Sequence, residues 1–218
     1  MTIGEMESLA RQMTGSRLQE MLRPCGALQD VDDEPPMGKE RVHFAFDHQS
    51  HFGRYYDMQK ALQFRSICDF FALLLLLQLP DEIRRNINVV AGPERGVGQL
   101  LQGVAHYLPV PEVRTVTLEK VGSGQIKVPP YFKCDPDDRV LLVDDIFRSG
   151  RTLEASKRAL PGALISAVAV AVNRAPLSWS AERSALTMPI ISVIRDPLLT
   201  FLKNDCPWCE CGIPLVFV

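Results

Sequence analysis

No apolar stretch in this sequence is long enough to cross a membrane. The longest one covers residues 70–77, whereas a membrane-spanning helix needs about 20 apolar residues, so we expect a buried helix here. The first residues also lack the basic-then-apolar layout of a secretory signal. Together these features predict a cytoplasmic protein without a membrane partner.

Neither sign of charge is in clear excess. The 24 Lys and Arg against 26 Asp and Glu give a formal net charge of −2. Binding nucleic acid or an anionic membrane by charge alone needs a marked basic excess. The composition therefore argues against a dedicated polyanion binder, and nucleic acid is not indicated as a partner.

Cysteine is also sparse, with six residues of which three cluster at Cys206, Cys209 and Cys211. This is not the framework of a small disulfide-stapled protein. The Cys-x-x-Cys spacing suits a tetrahedral zinc ion, although a structural site usually has four ligands and no fourth is close in sequence. The alternatives are reduced cysteines in a packed C-terminal segment and a Cys206–Cys209 disulfide, which a reducing cytoplasm disfavours.

A change of pattern near residue 40 predicts a division of the chain there. Residues 1–40 predict a helical extension, broken near residues 14–16, followed by an acidic and proline-rich linker. Residues 41–218 predict one domain, which starts with a strand over residues 42–46 and a helix over residues 58–79 that ends at a proline.

The rest of that domain alternates short apolar runs with helical stretches. The apolar runs are 87–91, 115–118, 140–143, 164–172 and 190–194, and the helical stretches are 98–107 and 152–160. This alternation predicts an α/β fold with a mainly parallel sheet. Ligands of such sheets bind beyond the carboxyl ends of the strands, so the residues that follow the runs are the candidates for a site.

Two acids and a hydroxyl-bearing loop follow the run at residues 140–143. Asp144 and Asp145 suit vicinal hydroxyls or a metal, while Ser149 and Thr152 enter a helix whose first amides favour a phosphate. An acidic turn capping a helix would explain Asp145 or Ser149 alone, but not the whole string. The segment predicts a sugar-phosphate site.

Residues 140–152 resemble the phosphoribosyl pyrophosphate (PRPP) signature of the type I phosphoribosyltransferases, and they match neither a Walker A loop nor a dinucleotide fingerprint. The resemblance implies a mainly parallel sheet flanked by helices, with a small hood. It also implies transfer of ribose 5-phosphate from PRPP to a nucleobase, with catalytic roles for Asp144 and Asp145, which meet magnesium indirectly through PRPP. The loop residues that it assigns to PRPP are Arg148, Ser149, Gly150, Arg151 and Thr152.

Two further segments resemble the family's pyrophosphate loop and mobile catalytic loop. Residues 91–98 look like the former, and the implied contacts are Gly92, Pro93, Glu94, Arg95 and Gly96. Residues 119–124 look like the start of the latter, as found in a subset of the orotate enzymes. Lys120 and Lys127 are its implied catalytic cations, with Val128 where a second basic residue is expected.

Three other matches point to the orotate branch. Residues 43–56 resemble its His-Phe…Ser-Gly-x-His-Ser…Tyr segment, which assigns His51 and Tyr56 to the substrate, although residues 48–49 are not Ser-Gly. Arg174 matches an arginine that contacts the base, and residues 206–215 resemble a Cys-Pro-x-Cys tail. The plainer alternatives are a packed or solvated loop histidine for His51 and a surface ion pair for Arg174.

Two function classes therefore remain. The first is an orotate-like phosphoribosyltransferase that uses PRPP and magnesium, and family members usually form homodimers. The apolar residues 73–77 and the N-terminal helices are the candidate surface for that dimer. The second is a non-catalytic member of the fold that senses PRPP or nucleotides in a regulatory or stress-response system, and it is motivated by the departures at residues 48–49, Val128 and Arg148.

Overall fold

The computed structural model describes residues 5, 8, 9, 12–34, 40–94, 96–122, 125–177 and 188–218. Its helices are α1 (Gly15–Leu22), α2 (Met58–Leu62), α3 (Arg65–Gln78), α4 (Asp81–Arg84), α5 (Gly98–Tyr107), α6 (Arg151–Ala159) and α7 (Pro207–Glu210), with a 3-10 turn at Lys203–Asp205. Its strands are β1 (Leu28–Asp30), β2 (His43–Ala45), β3 (His51–Phe52), β4 (Arg54–Tyr56), β5 (Val89–Pro93), β6 (Arg114–Val121), β7 (Gln125–Lys127), β8 (Arg139–Phe147), β9 (Leu164–Asn173), β10 (Ile190–Arg195) and β11 (Leu215–Phe217).

The central sheet has six strands in the order β10-β9-β8-β5-β6-β7. All neighbouring pairs from β10 to β6 are parallel, and only β7 runs antiparallel, as a hairpin with β6. Every residue of β5 is buried, as are residues 167–173 of β9, because helices cover both faces of the inner strands. The predicted α/β fold with a mainly parallel sheet is confirmed.

The prediction of one helix over residues 58–79 is wrong. The chain leaves the helical conformation at Phe64, where φ is −92° and ψ is 116°, and two helices result, α2 and α3. The Cys68 thiol donates to the freed carbonyl of Leu62 at 3.0 Å, and the Gln63 side chain donates to the carbonyl of Lys60. These contacts satisfy polar groups that the break exposes.

The apolar residues of α3 are covered within the chain itself. Residues 73–76 have exposed fractions between 0 and 8%, and the core cluster that contains residues 74–76 includes Leu18 and Leu22 of α1. The expectation that residues 73–77 offer free apolar surface for a dimer is therefore wrong for the first four of them. The homodimer itself stays a prediction.

A small hood of short strands lies over the carboxyl edge of the central sheet. It contains the antiparallel pair β1-β4 and a three-stranded sheet in the order β11-β2-β3. The pairing of Leu28 with Tyr56 joins residues before 40 to those after it. None of the helices in the described part of the chain is long and apolar enough to cross a membrane.

Candidate active site

A cavity of about 260 Å³ lies beyond the carboxyl ends of β8 and β9. Its walls come from β8 and the turn into α6 on one side, and from the hood on the other. Of the predicted residues it brings together Tyr56, Asp144, the loop at residues 148–152, and Arg174.

Asp144 and Asp145 lie inside β8, which runs four residues further than the apolar run at residues 140–143. Asp144 is 5% exposed, and its Oδ1 accepts a hydrogen bond from the Asp145 amide at 3.0 Å. Burial and the adjacent Asp145 raise the pKa of Asp144 well above its ordinary value, and burial also raises the pKa of Asp145. Because burial makes it costly to charge this pair, a ligand that donates hydrogen bonds or carries positive charge is favoured there.

The turn after β5, which resembles the family's pyrophosphate loop, lies beside these acids. A Cβ atom on Gly96 would come within 3.3 Å of Asp145 Oδ2, and Gly96 has a φ of +85°. Glu94 is exposed and its amide donates to the carbonyl of Leu118, whereas Arg95 lies outside the described residues. The structure thus brings this turn and the acidic pair to one edge of the sheet.

The loop into α6 carries two cations. Gly150 has a φ of +84° and precedes the helix, whose first amides receive no side-chain cap. Arg148 lies 3.8 Å from the centre of the Phe46 ring. Within the described residues neither Arg148 nor Arg151 forms a salt bridge, and burial together with the charge of Arg151 lowers the pKa of Arg148. Two cations at an uncapped helix start favour an anion.

Arg174 is held in place by the half-buried Asp196. Its Nη1 donates to Asp196 Oδ2 at 2.8 Å and its Nη2 donates to the carbonyl of Arg54 at 3.1 Å. The Tyr56 hydroxyl donates to the same Asp196 oxygen at 2.8 Å, and burial followed by Asp196 raises the pKa of Tyr56. Arg174 is only 6% exposed, so its ion pair is not at the surface.

Asp196 did not emerge from the sequence. It directly follows β10, at the same carboxyl edge where the other candidates were sought. The rule that ligands bind beyond strand ends would have found it, had it been applied to β10 as well.

Several predicted residues do not line this cavity. Lys120 and Lys127 are exposed on the β6-β7 hairpin, where the charge of Lys120 acts to lower the raised pKa values of both acids. His51 is buried next to His43 and Cys209. Of the three cysteines proposed for zinc, Cys206 and Cys209 lie with these histidines, whereas Cys211 is exposed and outside the group.

The chain is similar in sequence to known proteins. The sequence model of the phosphoribosyl transferase domain matches residues 74–184. The orotate phosphoribosyltransferase of Caldicellulosiruptor bescii is 27% identical, over 80% of this chain and 86% of that protein. The orotate phosphoribosyltransferase of Chlorobaculum parvum is 25% identical, over 93% of this chain and 94% of that protein.

Solved structures share the fold. Orotate phosphoribosyltransferase from Aeropyrum pernix superposes with a TM-score of 0.56 at 20% identity, covering 82% of this chain and 93% of its own. Adenine phosphoribosyltransferase from Rhodothermus marinus reaches 0.53 at 21% identity, covering 83% and 99%. Because enzymes for two different bases resemble the chain about equally, the fold does not select the base.

Proposed function

The chain belongs to the type I phosphoribosyltransferase family, and we propose that it transfers ribose 5-phosphate from PRPP to orotate. In this reaction the bond from C1 of the ribose to pyrophosphate breaks, and the pyrophosphate leaves with the electron pair. A bond from a ring nitrogen of the base to C1 forms, and the proton of that nitrogen is released. The observation that supports this proposal most is the meeting of the Asp144-Asp145 pair, two arginines without ion pairs to any described residue, and Arg174 at one edge of the sheet.

The acids and the two turns are assigned to different parts of PRPP. We assign the ribose hydroxyls to Asp144 and Asp145, because donors to a carboxylate favour its charged form. The 5-phosphate is assigned to the loop at residues 148–152, and the pyrophosphate to the turn at residues 92–96. Lys120 and Lys127 would offset charge on the leaving pyrophosphate as the hairpin closes over it.

Magnesium suits this site because its preferred ligands are oxygens, which PRPP would supply beside the two carboxylates. The ion, when bound with PRPP, supplies positive charge to the leaving pyrophosphate. Asp144 and Asp145 would interact with the ion only indirectly, through the bound PRPP, and their own task is to hold the ribose in position.

Arg174 is our candidate for recognition of orotate, which is planar and carries a carboxylate. A guanidinium has five N–H donors in a fixed fork, and the contacts with Asp196 and Arg54 occupy two of them. The remaining donors are preoriented, so a carboxylate can bind without first ordering the side chain.

The direct test measures turnover of orotate, uracil, adenine, guanine and hypoxanthine with PRPP and magnesium. We expect turnover with orotate, and we expect Arg174→Lys to raise the KM for orotate about 10-fold or more while the KM for PRPP stays within about twofold, because lysine keeps the charge but loses the fork. The control is Arg65→Lys, whose arginine forms an exposed pair with Asp69 in α3.

The outcomes separate the function classes. Turnover of another base but not orotate would keep the enzyme class and reject orotate. Binding of PRPP without turnover of any base would favour the sensing module.

A second prediction concerns the loop cations. The Arg148→Gln, Arg151→Gln double variant should bind PRPP about 10- to 100-fold more weakly, because charge-assisted contacts with a phosphate are lost, discounted for the exposure of both side chains. Calorimetry at two salt concentrations measures this, and the affinity of the variant should depend less on salt.

Arg158→Gln is its matched control. Arg158 is exposed in the last turn of the same helix, α6, at the end away from the loop. An equal loss of affinity in this variant would show a general effect of net charge and contradict the assignment of the 5-phosphate.

A further inference from the structure

Four potential metal ligands meet where the hood contacts the C-terminal segment. They are His43 of β2, His51 of β3, and Cys206 and Cys209 at the start of α7, and their ligand atoms all lie within 4.8 Å of one another. His43, His51 and Cys206 are buried, and Cys209 is half-buried. The proposed reaction uses none of the four.

The distances among three of the four ligand atoms are those of a tetrahedral site. In a tetrahedron each edge is about 1.6 times the bond length, so zinc bonds of about 2.0 Å to nitrogen and 2.3 Å to sulfur give N–N edges of about 3.3 Å and N–S edges of about 3.5 Å. His43 Nε2 lies 3.3 Å from His51 Nδ1. Cys209 Sγ lies 3.4 Å from the first nitrogen and 3.2 Å from the second.

Both imidazoles face the cluster, and the surroundings of His43 also orient its ring for binding. His43 Nδ1 lies 3.1 Å from the carbonyl of Pro214 and donates to it, which leaves Nε2 without a proton and facing the cluster. A ligating histidine usually donates its other nitrogen in this way. His51 faces the cluster with Nδ1, while its buried Nε2 has no hydrogen-bond partner in the described part of the chain. Burying that nitrogen costs free energy, which a bond from Nδ1 to a metal would offset.

We propose that His43, His51, Cys206 and Cys209 bind one structural zinc ion. Two nitrogens and two thiolates in a tetrahedral arrangement suit zinc. Because the protein fills all four positions, no position is open for a substrate, and the role is structural. The sequence-based alternative with Cys211 as a ligand is replaced by this set, which supplies the ligands that the cysteine spacing alone did not.

The zinc ion would fasten the C-terminal segment to the hood. His43 pairs with Leu215 in the parallel ladder, and His51 forms an antiparallel bridge with Phe201. The residue after His51, Phe52, lines the cavity. Loss of the metal should therefore loosen one cavity wall as well as the C-terminal segment.

The test uses the full chain, purified under reducing conditions without a histidine tag or a chelator. Mass spectrometry of the metal content should find about one zinc ion per chain. Adding zinc to the chelated protein should raise Tm by roughly 5–10 °C at a free concentration of about a hundred times Kd. Cys206→Ser and Cys209→Ser should lose the zinc, and Cys211→Ser should retain it.

A second measurement does not depend on the folding of the variants. Cobalt(II) added to the chelated wild-type protein should give the visible absorption of a tetrahedral ion with thiolate ligands. Zinc should also protect Cys206 and Cys209 from alkylation, whereas the exposed Cys211 should react with or without it.

Three results would overturn the proposal. They are a wild-type protein that holds no zinc and gains no stability from it, a Cys206–Cys209 disulfide in the reduced preparation, and loss of zinc from Cys211→Ser alone.

Discussion

Replacing Asp144 and Asp145 together by Asn should lower kcat/KM for PRPP by about 10²- to 10⁴-fold, since each charge-assisted hydrogen bond contributes roughly 1.5–3 kcal/mol. The two carboxylates lie at the carboxyl edge of the sheet with raised pKa values. Asn at position 144 keeps the oxygen that accepts a hydrogen bond from the amide of residue 145. The substitutions should therefore weaken the contacts with PRPP and leave the local backbone unchanged.

The same substitutions should not destabilise the fold at neutral pH. The pKa of Asp144 is higher in the folded chain than its ordinary value of 3.8, so between these two values the folded state binds more protons than the unfolded state. Wild-type stability therefore falls as pH rises through this window, and the cost of the buried charge persists above it. Asn carries no charge, so the variant should gain stability relative to wild type as pH rises.

Steady-state kinetics and calorimetry with PRPP measure the first effect, and thermal unfolding at acidic and neutral pH measures the second. Asp137→Asn is the control, since Asp137 is exposed just before β8, at the opposite end of that strand. Unchanged PRPP affinity in a folded double variant would contradict the role of the acids.

The sequence predicted those parts of the fold that depend on local pattern. The strand-helix units β5-α5 and β8-α6 were found because apolar runs buried on both faces differ clearly from amphipathic helices. The break at Phe64 was missed because every residue around it also suits a helix. Most strands of two or three residues, such as β3, were missed because they are too short for periodicity and depend on pairing with distant segments. The exception is β2, which lies within the strand predicted over residues 42–46.

The candidate site shows the same difference between residues that a local pattern reveals and residues that it does not. Asp144 and the loop at residues 148–152 were found because one contiguous segment carries them. The position of Asp196 after β10 could have been noticed, but its contacts could not, because its partners Arg54 and Arg174 lie 142 and 22 residues away in the sequence. Of the four proposed zinc ligands, the sequence indicated only Cys206 and Cys209, because the two histidines come from strands far away in the sequence. Contacts between distant segments are fixed by the whole fold and leave no local pattern.

The Gly92→Ala variant should be strongly destabilised, by about 3–5 kcal/mol, with a fall in Tm of roughly 10 °C or more. Gly92 is buried in β5, and a Cβ atom there would overlap the carbonyl oxygen of Val143 and come within 3.1 Å of Leu101 Cδ2 and Val97 Cγ2. A side-chain tip can rotate away, but the carbonyl belongs to the backbone of β8 and moves only if the two strands separate. Thermal or denaturant unfolding measures the loss.

Gly98→Ala is the matched control, because a Cβ atom on Gly98 meets nothing within 4 Å and the residue begins α5. Its stability should be unchanged or slightly raised, since alanine favours a helix over glycine by up to about 1 kcal/mol.

Separation of β5 from β8 in Gly92→Ala would also move the turn at residues 92–96 away from Asp144, which directly follows Val143. We therefore expect the fraction of Gly92→Ala that remains folded to have a raised KM for PRPP. A variant with wild-type Tm would show that the strands accommodate the methyl group, and the close approach at Gly92 would then not be what sets the spacing between the pyrophosphate turn and the acids.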